Sequence, residues 1–253
     1  MTTNALVIVD PQNDFCDKKG SLYVEGAEQD VARLSAYIKK ENIGEIFISL
    51  DSHDACAVFH PVFWVNDAGE HPAPFTQITY DVFESREWKV ASENNIPFLL
   101  RTFRAMSAKS VPYIMIWPEH CVVSTWGHQI AAPLQDALIQ WRDKTGLSVR
   151  YVFKGENPYT EQFSIFEGVD DSYPETSFND TLASRLSRFG EVTFAGEALS
   201  HCVVESVLSY VQRLCVPQTV RLLTDCTSPV GGFNRKESLD RLSRYSVKFV
   251  TTD

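Results

Sequence analysis

The sequence predicts an α/β protein with a mainly parallel sheet of about six strands and helices on both faces. Three observations favour this three-layer fold. Short apolar runs alternate with amphipathic stretches, which is the pattern of successive right-handed βαβ crossovers. Several of the runs are apolar at every position, as in strands that are covered on both faces. The chain of 253 residues is 44% hydrophobic and 22% charged, so it can bury a large core.

The sheet strands are predicted where a run of β-forming apolar residues stops at a polar or turn residue. The first run ends at Asp10, because the following Pro11 cannot continue a central strand. A shorter extended stretch is expected at 113–117. The strands of the sheet are predicted at 5–9, 45–50, 149–153, 191–196, 219–223 and 247–250.

Helices are predicted where apolar residues recur at spacings of three and four. Val203, Val207 and Val211 have this spacing and follow directly on the strand at 191–196. The tight turn between them, Gly196 to Ser200, delivers Cys202 to the first turn of a helix. The other helices are predicted near 27–40, 129–141, 179–189 and 236–244.

Residues 61–112 are the irregular part of the chain. They are aromatic and proline-rich at first, and we expect helices near 81–90 and 95–108. Their pattern of predicted strands and helices is too weak to bury a separate hydrophobic core. We therefore interpret the chain as a single domain, 1–253, with an insertion at 61–112 after the second strand.

The composition limits the classes of partner. The formal net charge of -10 and the lack of lysine and arginine clusters argue against binding to nucleic acid or an anionic membrane. No apolar run approaches the ~20 residues of a membrane span. The N-terminal residues lack the basic start of a signal peptide, so we expect a cytoplasmic protein. Its six scattered cysteines are then expected to be thiols.

Polar residues follow the predicted strands at one edge of the sheet. They are Asp10, Asp51, Lys154, the turn at 196–202 and Asp225. In open α/β sheets this carboxyl edge is where ligands bind. Cys202 in this place reads as a nucleophile, because a helix start favours the thiolate. The alternative is a buried cysteine that only fills the core.

With these residues in hand, the chain resembles the nicotinamidase branch of the isochorismatase-like cysteine hydrolases. The matching motifs lie in the family's order over residues 5 to 230. They are Val9-Asp-Pro-Gln-Asn-Asp-Phe-Cys16, Gly20-Ser-Leu22, Asp51-Ser-His53, Trp117-Pro-Glu-His-Cys121, Thr125-Trp-Gly127, Lys154-Gly155 and Ser200-His-Cys-Val203.

The resemblance implies a covalent mechanism. Cys202 would be the nucleophile, Asp10 its general base and Lys154 the cation beside both. The backbone N–H groups of Ala198 and Cys202 would form the oxyanion hole, next to a cis peptide bond between Glu197 and Ala198. The alternative for Asp10 and Lys154 is a structural ion pair.

The resemblance also implies a metal site. Asp51, His53 and His120 supply one carboxylate and two imidazoles, a set that suits a divalent metal. Zinc is the first expectation, with iron or manganese as alternatives. His60 stands where some members have a fourth ligand. Surface or core histidines are the competing interpretation.

The implied reaction is hydrolysis of nicotinamide, or of a close aromatic amide such as pyrazinamide, to the acid and ammonia, as in NAD salvage and pyridine nucleotide biosynthesis. Phe15 and Trp117 match family positions that sandwich the flat ring, although both residues also suit a core. Ala198-Leu199-Ser200 departs from the Ala-Thr-Asp usual in nicotinamidases, which leaves the amide open. The alternatives are another small amide, an isochorismate-like ether, or a catalytically silent binding protein. A homo-oligomer is left open.

Overall fold

The computed structural model describes residues 4–214 and 216–253. Six parallel strands form the main sheet, in the order β10-β9-β8-β1-β2-β7. This confirms the predicted fold class. The strands are β1 (Asn4–Val9), β2 (Glu45–Asp51), β7 (Arg150–Lys154), β8 (Glu191–Gly196), β9 (Thr219–Leu223) and β10 (Val247–Val250).

The helices follow the predicted alternation with the strands. A turn with π-helical hydrogen bonds, Leu199–Val203, precedes α7. The helices are α1 (Asn13–Cys16), α2 (Ala27–Lys40), α3 (Tyr80–Glu84), α4 (Ile96–Ala108), α5 (Ala132–Thr145), α6 (Asp180–Leu186), α7 (Val204–Gln212) and α8 (Arg235–Ser243).

Each face of the sheet has its own apolar core. Leu6 and Ile8 of β1 point to the side that is covered by α2 and α5. Val7 and Val9, one residue out of phase, point to the side that is covered by α6, α7 and α8. Burial on both faces explains why β1 reads as a continuous apolar run and not as an alternating one.

The strand order creates a switch point between β1 and β8. From β1 the chain adds β2 and β7 on one side, and it adds β9 and β10 beyond β8 on the other. Ligands of open α/β sheets bind in the crevice at such a point, outside the carboxyl ends of the strands. Asp10 follows β1 and Cys202 follows β8, so a ligand site is expected in the crevice between these two residues.

The segment 61–112 departs most from its prediction. The helix expected near 81–90 is only α3, which ends at Glu84; Arg86 then takes a left-handed conformation (φ 67°). The chain turns back and pairs β5 (Lys89–Val90) with β3 (Trp64–Val65) in an antiparallel ribbon. A second small ribbon joins β4 (Gln77–Ile78) to β6 (Ile114–Met115). Two-residue strands carry no periodicity that a sequence pattern could detect.

Three further details complete the fold. Residues 13–16, which no predicted helix covers, form α1. In the described ranges no helix is long and apolar enough to cross a membrane. The cysteines that the structure describes are free thiols, namely Cys16, Cys56, Cys121, Cys202 and Cys226. The sixth, Cys215, lies outside the described residues.

Candidate active site

Cys202 lies in the turn that connects β8 to α7. The turn closes through hydrogen bonds from the N–H groups of His201 (3.1 Å) and Val203 (3.2 Å) to the carbonyl oxygen of Ala198. Neither bond uses the N–H group of Ala198 or of Cys202. The peptide bond between Glu197 and Ala198 is cis, as the resemblance implied. The thiol of Cys202 is buried.

Asp10 is fully buried at the end of β1, one strand away. Its backbone is left-handed (φ 43°), a conformation that aspartate tolerates better than most residues. Ser49 of β2 holds it in two ways: the Ser49 hydroxyl donates to Asp10 Oδ1 (2.6 Å) and accepts the Asp10 N–H (3.0 Å). This leaves Asp10 Oδ2 turned toward the neighbouring site residues.

Lys154 joins the acidic side chains to the thiol. Its Nζ lies 2.9 Å from Asp10 Oδ2, 2.8 Å from Asp51 Oδ1 and 3.5 Å from Cys202 Sγ. Asp51 and Lys154 are direct neighbours in the register of β2 and β7, so the parallel pairing itself places the cation. We call Asp10, Asp51, Lys154 and Cys202 the lysine cluster.

The charges of the lysine cluster correct one expectation from the sequence. Burial raises the pKa of the Cys202 thiol well above its ordinary value; Lys154 opposes this, and the carboxylates of Asp10 and Asp51 add to it. Burial also raises the pKa of Asp10, with Lys154 opposing. The expected helix-start thiolate is therefore wrong for the resting protein. Cys202 rests as a thiol with the buried carboxyl group of Asp10 nearby.

The cation of the cluster is retained although it is buried. Burial alone would lower the pKa of Lys154, but Asp10 and Asp51 outweigh burial and raise the pKa well above its usual value. Lys154 therefore stays protonated at neutral pH. It offsets the charge of two carboxylates that could not otherwise share one dry site.

Asp51, His53 and His120 form a second group on the other side of Asp51. Their ligand atoms lie within 4.8 Å of one another, close enough to hold a metal ion. His53 Nε2 is 3.0 Å and His120 Nε2 is 3.8 Å from Asp51 Oδ2. The opposite nitrogens lie on backbone carbonyls: His53 Nδ1 on Gly155 (3.0 Å) and His120 Nδ1 on Pro118 (2.8 Å).

This arrangement fits a divalent metal. An imidazole that donates Nδ1–H to a carbonyl presents an unprotonated Nε2, which is the form that binds metal. Burial lowers the pKa of His120 well below its ordinary value, which also favours the neutral ring. The carboxylate of Asp51 divides its oxygens between Lys154 and the two histidines. Asp51 thus links the metal ligands to the lysine cluster.

Backbone contacts bring the two ligand loops together. His53 N–H donates to the Cys121 carbonyl (3.1 Å), and the His53 carbonyl accepts from Val123 N–H (3.1 Å). Asp14 Oδ2 fixes the second loop by accepting from Cys121 N–H (2.7 Å). Gly155, with φ 73°, leaves room for the ring of His53, against which any Cβ would collide. The presence of glycine directly after Lys154 therefore has a steric cause.

Phe15 and Trp117 line a cavity that opens onto Cys202 and the three metal-ligand candidates. We call it the reaction cavity. The ring of Phe15 packs edge-on to His120 with 5.5 Å between ring centroids. Trp117 Nε1–H donates to Glu161 Oε1 (3.2 Å). The structure thus brings both aromatic residues to the cavity, where a flat ligand could lie between apolar surfaces.

Comparisons with known proteins agree with this geometry. No family model matches the chain. It is 26% identical over 248 residues to the nicotinamidase/pyrazinamidase of Mycobacterium tuberculosis, covering 97% of each protein. Among solved structures, yeast nicotinamidase is similar with a TM-score of 0.69, 20% identity and coverage of 98% of this chain and 99% of that one. The pyrazinamidase of Pyrococcus horikoshii in complex with zinc has a TM-score of 0.59, 20% identity and coverage of 98% and 99%.

Over most of its length the chain is thus similar to nicotinamidases in sequence and shares their fold. His60 lies beside the metal-ligand group and not within it. His60 Nδ1 faces the carbonyl of Ala55 (3.1 Å), and its Nε2 faces His120 Nδ1 (3.4 Å), the nitrogen turned away from Asp51.

One residue that the sequence assigned to the sheet edge is absent from the cluster. Asp225 follows β9, which lies beyond β8 and away from β1. Its carboxylate accepts from the hydroxyl (2.6 Å) and N–H (3.1 Å) of Thr252. Asp225 therefore follows its strand as predicted but lies apart from the cluster, because the strand order, which a sequence pattern does not show, puts β9 beyond β8.

The sequence analysis also missed residues of this site. Gln12 pairs with the backbone of Asp51, donating to its carbonyl and accepting its N–H (both 2.7 Å). Glu161, Phe163 and His201 line the reaction cavity. Burial raises the pKa of Glu161 to about 8 and lowers the pKa of His201 to about 4. Only His201 had a signal, as the neighbour of Cys202; Glu161 and Phe163 lie in a loop without periodicity.

Proposed function

We propose that the protein is a metal-containing cysteine amidohydrolase that converts nicotinamide, or a close aromatic amide, to the carboxylic acid and ammonia. One observation carries the proposal. A buried thiol, a carboxylate and an ammonium group lie within contact of one another, and a separate Asp-His-His group lies across the same cavity. The similarity to nicotinamidases supports the choice of amide.

The first half-reaction uses the lysine cluster. Asp10 takes the proton of Cys202 as the sulfur attacks the carbonyl carbon of the amide. The N–H groups of Ala198 and Cys202 donate to the oxyanion that forms. Asp10 then returns the proton to the amide nitrogen, the C–N bond breaks, and ammonia leaves. The acyl group remains on Cys202 as a thioester.

The second half-reaction repeats these roles with water. Asp10 accepts a proton from the water that attacks the thioester carbonyl, and the Cys202–acyl bond breaks. The carboxylic acid leaves, and the sulfur recovers its proton. Lys154 favours the ionised form of Asp10 against the effect of burial, and it lies near the sulfur when its charge develops.

Asp51, His53 and His120 are proposed to hold the metal, with zinc as the first choice because a similar pyrazinamidase is described in complex with zinc. When bound, the metal supplies a Lewis-acidic position for the ring nitrogen of the substrate. Phe15 and Trp117 are proposed to hold the flat ring on either side.

The protein is proposed to act in the cytoplasm, where NAD salvage would use the acid product. The free thiols of the described cysteines support a reducing compartment.

The test is ammonia release from nicotinamide, pyrazinamide and aliphatic amides, each with and without a chelator. We expect turnover of the aromatic amides that falls when the metal is removed. Turnover of aliphatic amides alone would favour a different amide hydrolase. A protein that hydrolyses none of these amides but still binds nicotinamide would be the silent binding protein.

A further inference from the structure

A second cavity adjoins the reaction cavity and has no role in the proposed reaction. Its volume is about 160 Å³, against about 30 Å³ for the reaction cavity. We call it the side cavity. Much of its lining comes from α4 and from the stretch that follows it; the lining includes Thr102, Met106, Val111, Ile114, Val169 and Phe233.

Four residues line both cavities: Trp117, Glu161, Phe163 and His201. We call them the dividing wall. Three of them meet as rings, with the centroid of His201 5.3 Å from that of Trp117 and 5.4 Å from that of Phe163. The two cavities therefore meet at these four side chains.

The side cavity suits an uncharged apolar group. The hydroxyl of Thr102 is already used, since it donates to the carbonyl groups of Phe98 and Tyr159. Glu161 turns one oxygen to Trp117, at the boundary and not deep inside. A cavity of about 150 Å³ with apolar walls holds a benzene ring. A charged group would lose its hydration there without gaining a partner.

The orientation of the substrate follows from what lines each cavity. Asp51, His53 and His120 line only the reaction cavity. The dividing wall is shared, and its His201 is the chain neighbour of Cys202. A ring with one edge toward the metal ligands and its carboxamide at Cys202 can therefore turn another edge to the dividing wall.

We propose that the preferred substrates are aromatic carboxamides that carry an apolar ring substituent, and that this substituent reaches the side cavity by passing between the side chains of the dividing wall. The proposal rests on the proposed amidohydrolase function and names its substrate class. The residues of the side cavity are specificity-determining, whereas the lysine cluster is common to every amide that the protein would hydrolyse.

The first experiment uses the metal-loaded wild-type protein and needs no variant. kcat and KM are measured for nicotinamide and for its derivatives with a phenyl group at each free ring carbon. We expect one isomer to have a KM about tenfold below that of nicotinamide, because it buries its ring in the side cavity. Replacing that phenyl by a carboxyphenyl group should abolish the gain.

The second experiment fills the side cavity. Val111→Phe replaces a small side chain of the lining with an aromatic ring. Val216→Phe is the control, because it makes the same change at an exposed position that lines neither cavity. For each variant we compare kcat/KM for the preferred phenyl isomer with kcat/KM for nicotinamide. We expect Val111→Phe to lower this ratio about tenfold and Val216→Phe to leave it unchanged.

The outcomes separate the two proposals. Hydrolysis of nicotinamide with no phenyl isomer above it in kcat/KM would overturn the substrate class and leave the amidohydrolase standing. An unchanged ratio in a folded Val111→Phe protein would also overturn it. If the wild-type protein hydrolyses none of the amides, the proposed function itself is overturned.

Discussion

The lysine cluster, whose Asp51 and Cys202 line the reaction cavity, and the dividing wall, which lines it as well, are built in different ways. The members of the cluster stand at or just beyond the ends of four neighbouring strands, β7, β2, β1 and β8, so parallel pairing fixes their positions. In the dividing wall, Trp117, Glu161 and Phe163 come from loops, and only His201 belongs to the turn before α7. The groups proposed for the reaction are therefore positioned by the sheet, and most of those proposed for the choice of substrate are positioned by loops.

The largest effect is expected at Cys202, the proposed nucleophile. Cys202→Ala should lower turnover by about 10⁴-fold or more, because among the described residues no other thiol lies within hydrogen-bond distance of Lys154 Nζ. Mass spectrometry of the wild-type protein, quenched during turnover, should find the acyl group on Cys202. Retained hydrolysis by a folded Cys202→Ala protein would contradict the covalent mechanism.

A somewhat smaller loss is expected at the base. Asp10→Asn keeps the hydrogen bond to Ser49 but cannot take a proton, so kcat should fall by about 10²–10⁴-fold. Lys154→Met should lower kcat through the same unit, and the double variant should lose less than the product of the two. Circular dichroism controls for folding. Fully multiplicative losses would mean that the two residues act separately.

Removing the metal should affect binding more than the nucleophile. We expect KM for nicotinamide to rise about 10–100-fold after chelation, the range for disturbed metal sites. Cys202 should remain open to alkylation by iodoacetamide. Benzamide, which lacks the ring nitrogen, should be a poorer substrate that responds little to chelation. Equal, metal-insensitive kcat/KM for both amides would make the metal structural.

The smallest effect is expected at the dividing wall. Burial raises the pKa of Glu161 to about 8, above its unfolded value of 4.5, so the folded state holds a proton that the unfolded state releases. Its contribution to the free energy of unfolding is complete below pH 4.5 and is lost as pH rises through 8. Glu161→Gln removes this loss.

Thermal unfolding of the metal-free proteins tests this sign. The Tm of Glu161→Gln minus that of the wild type should grow between pH 5 and 9, and about 1 kcal/mol corresponds to ~2–4 °C for a chain of this size. Glu156→Gln, in the same loop, is the control. A difference that shrinks with rising pH would contradict the assignment.

The same difference between sheet and loop residues determines how much of the structure can be predicted from the sequence. The strand at 191–196 is predicted to the residue, since fully buried parallel strands are apolar runs with sharp ends. The segment at 81–90 was predicted as one helix and became α3 followed by β5, because the pairing of β5 with β3 is a tertiary effect. Glu161 gave no signal, because a loop position carries neither periodicity nor a fixed partner in the sequence.

The electrostatic state of Cys202 shows a second limit. A helix start predicts a thiolate, but two buried carboxylates and the loss of water reverse that preference. Such opposing contributions depend on distances between strands that are far apart in the chain. A sequence pattern can therefore place the thiol at the crevice, but it does not determine whether the thiol is protonated.

The position of β7 has a consequence for how the protein loses activity. β7 is one of the two edge strands of the main sheet, where β2 is its one neighbour among the described strands, and its Tyr151 and Phe153 are exposed. Outer strands exchange their amide hydrogens through local opening that costs less than global unfolding. Because β7 carries Lys154, fraying of this one strand would separate the ammonium group from Asp10 while the rest of the sheet persists. Inactivation by mild denaturant should then precede the collapse of the fold.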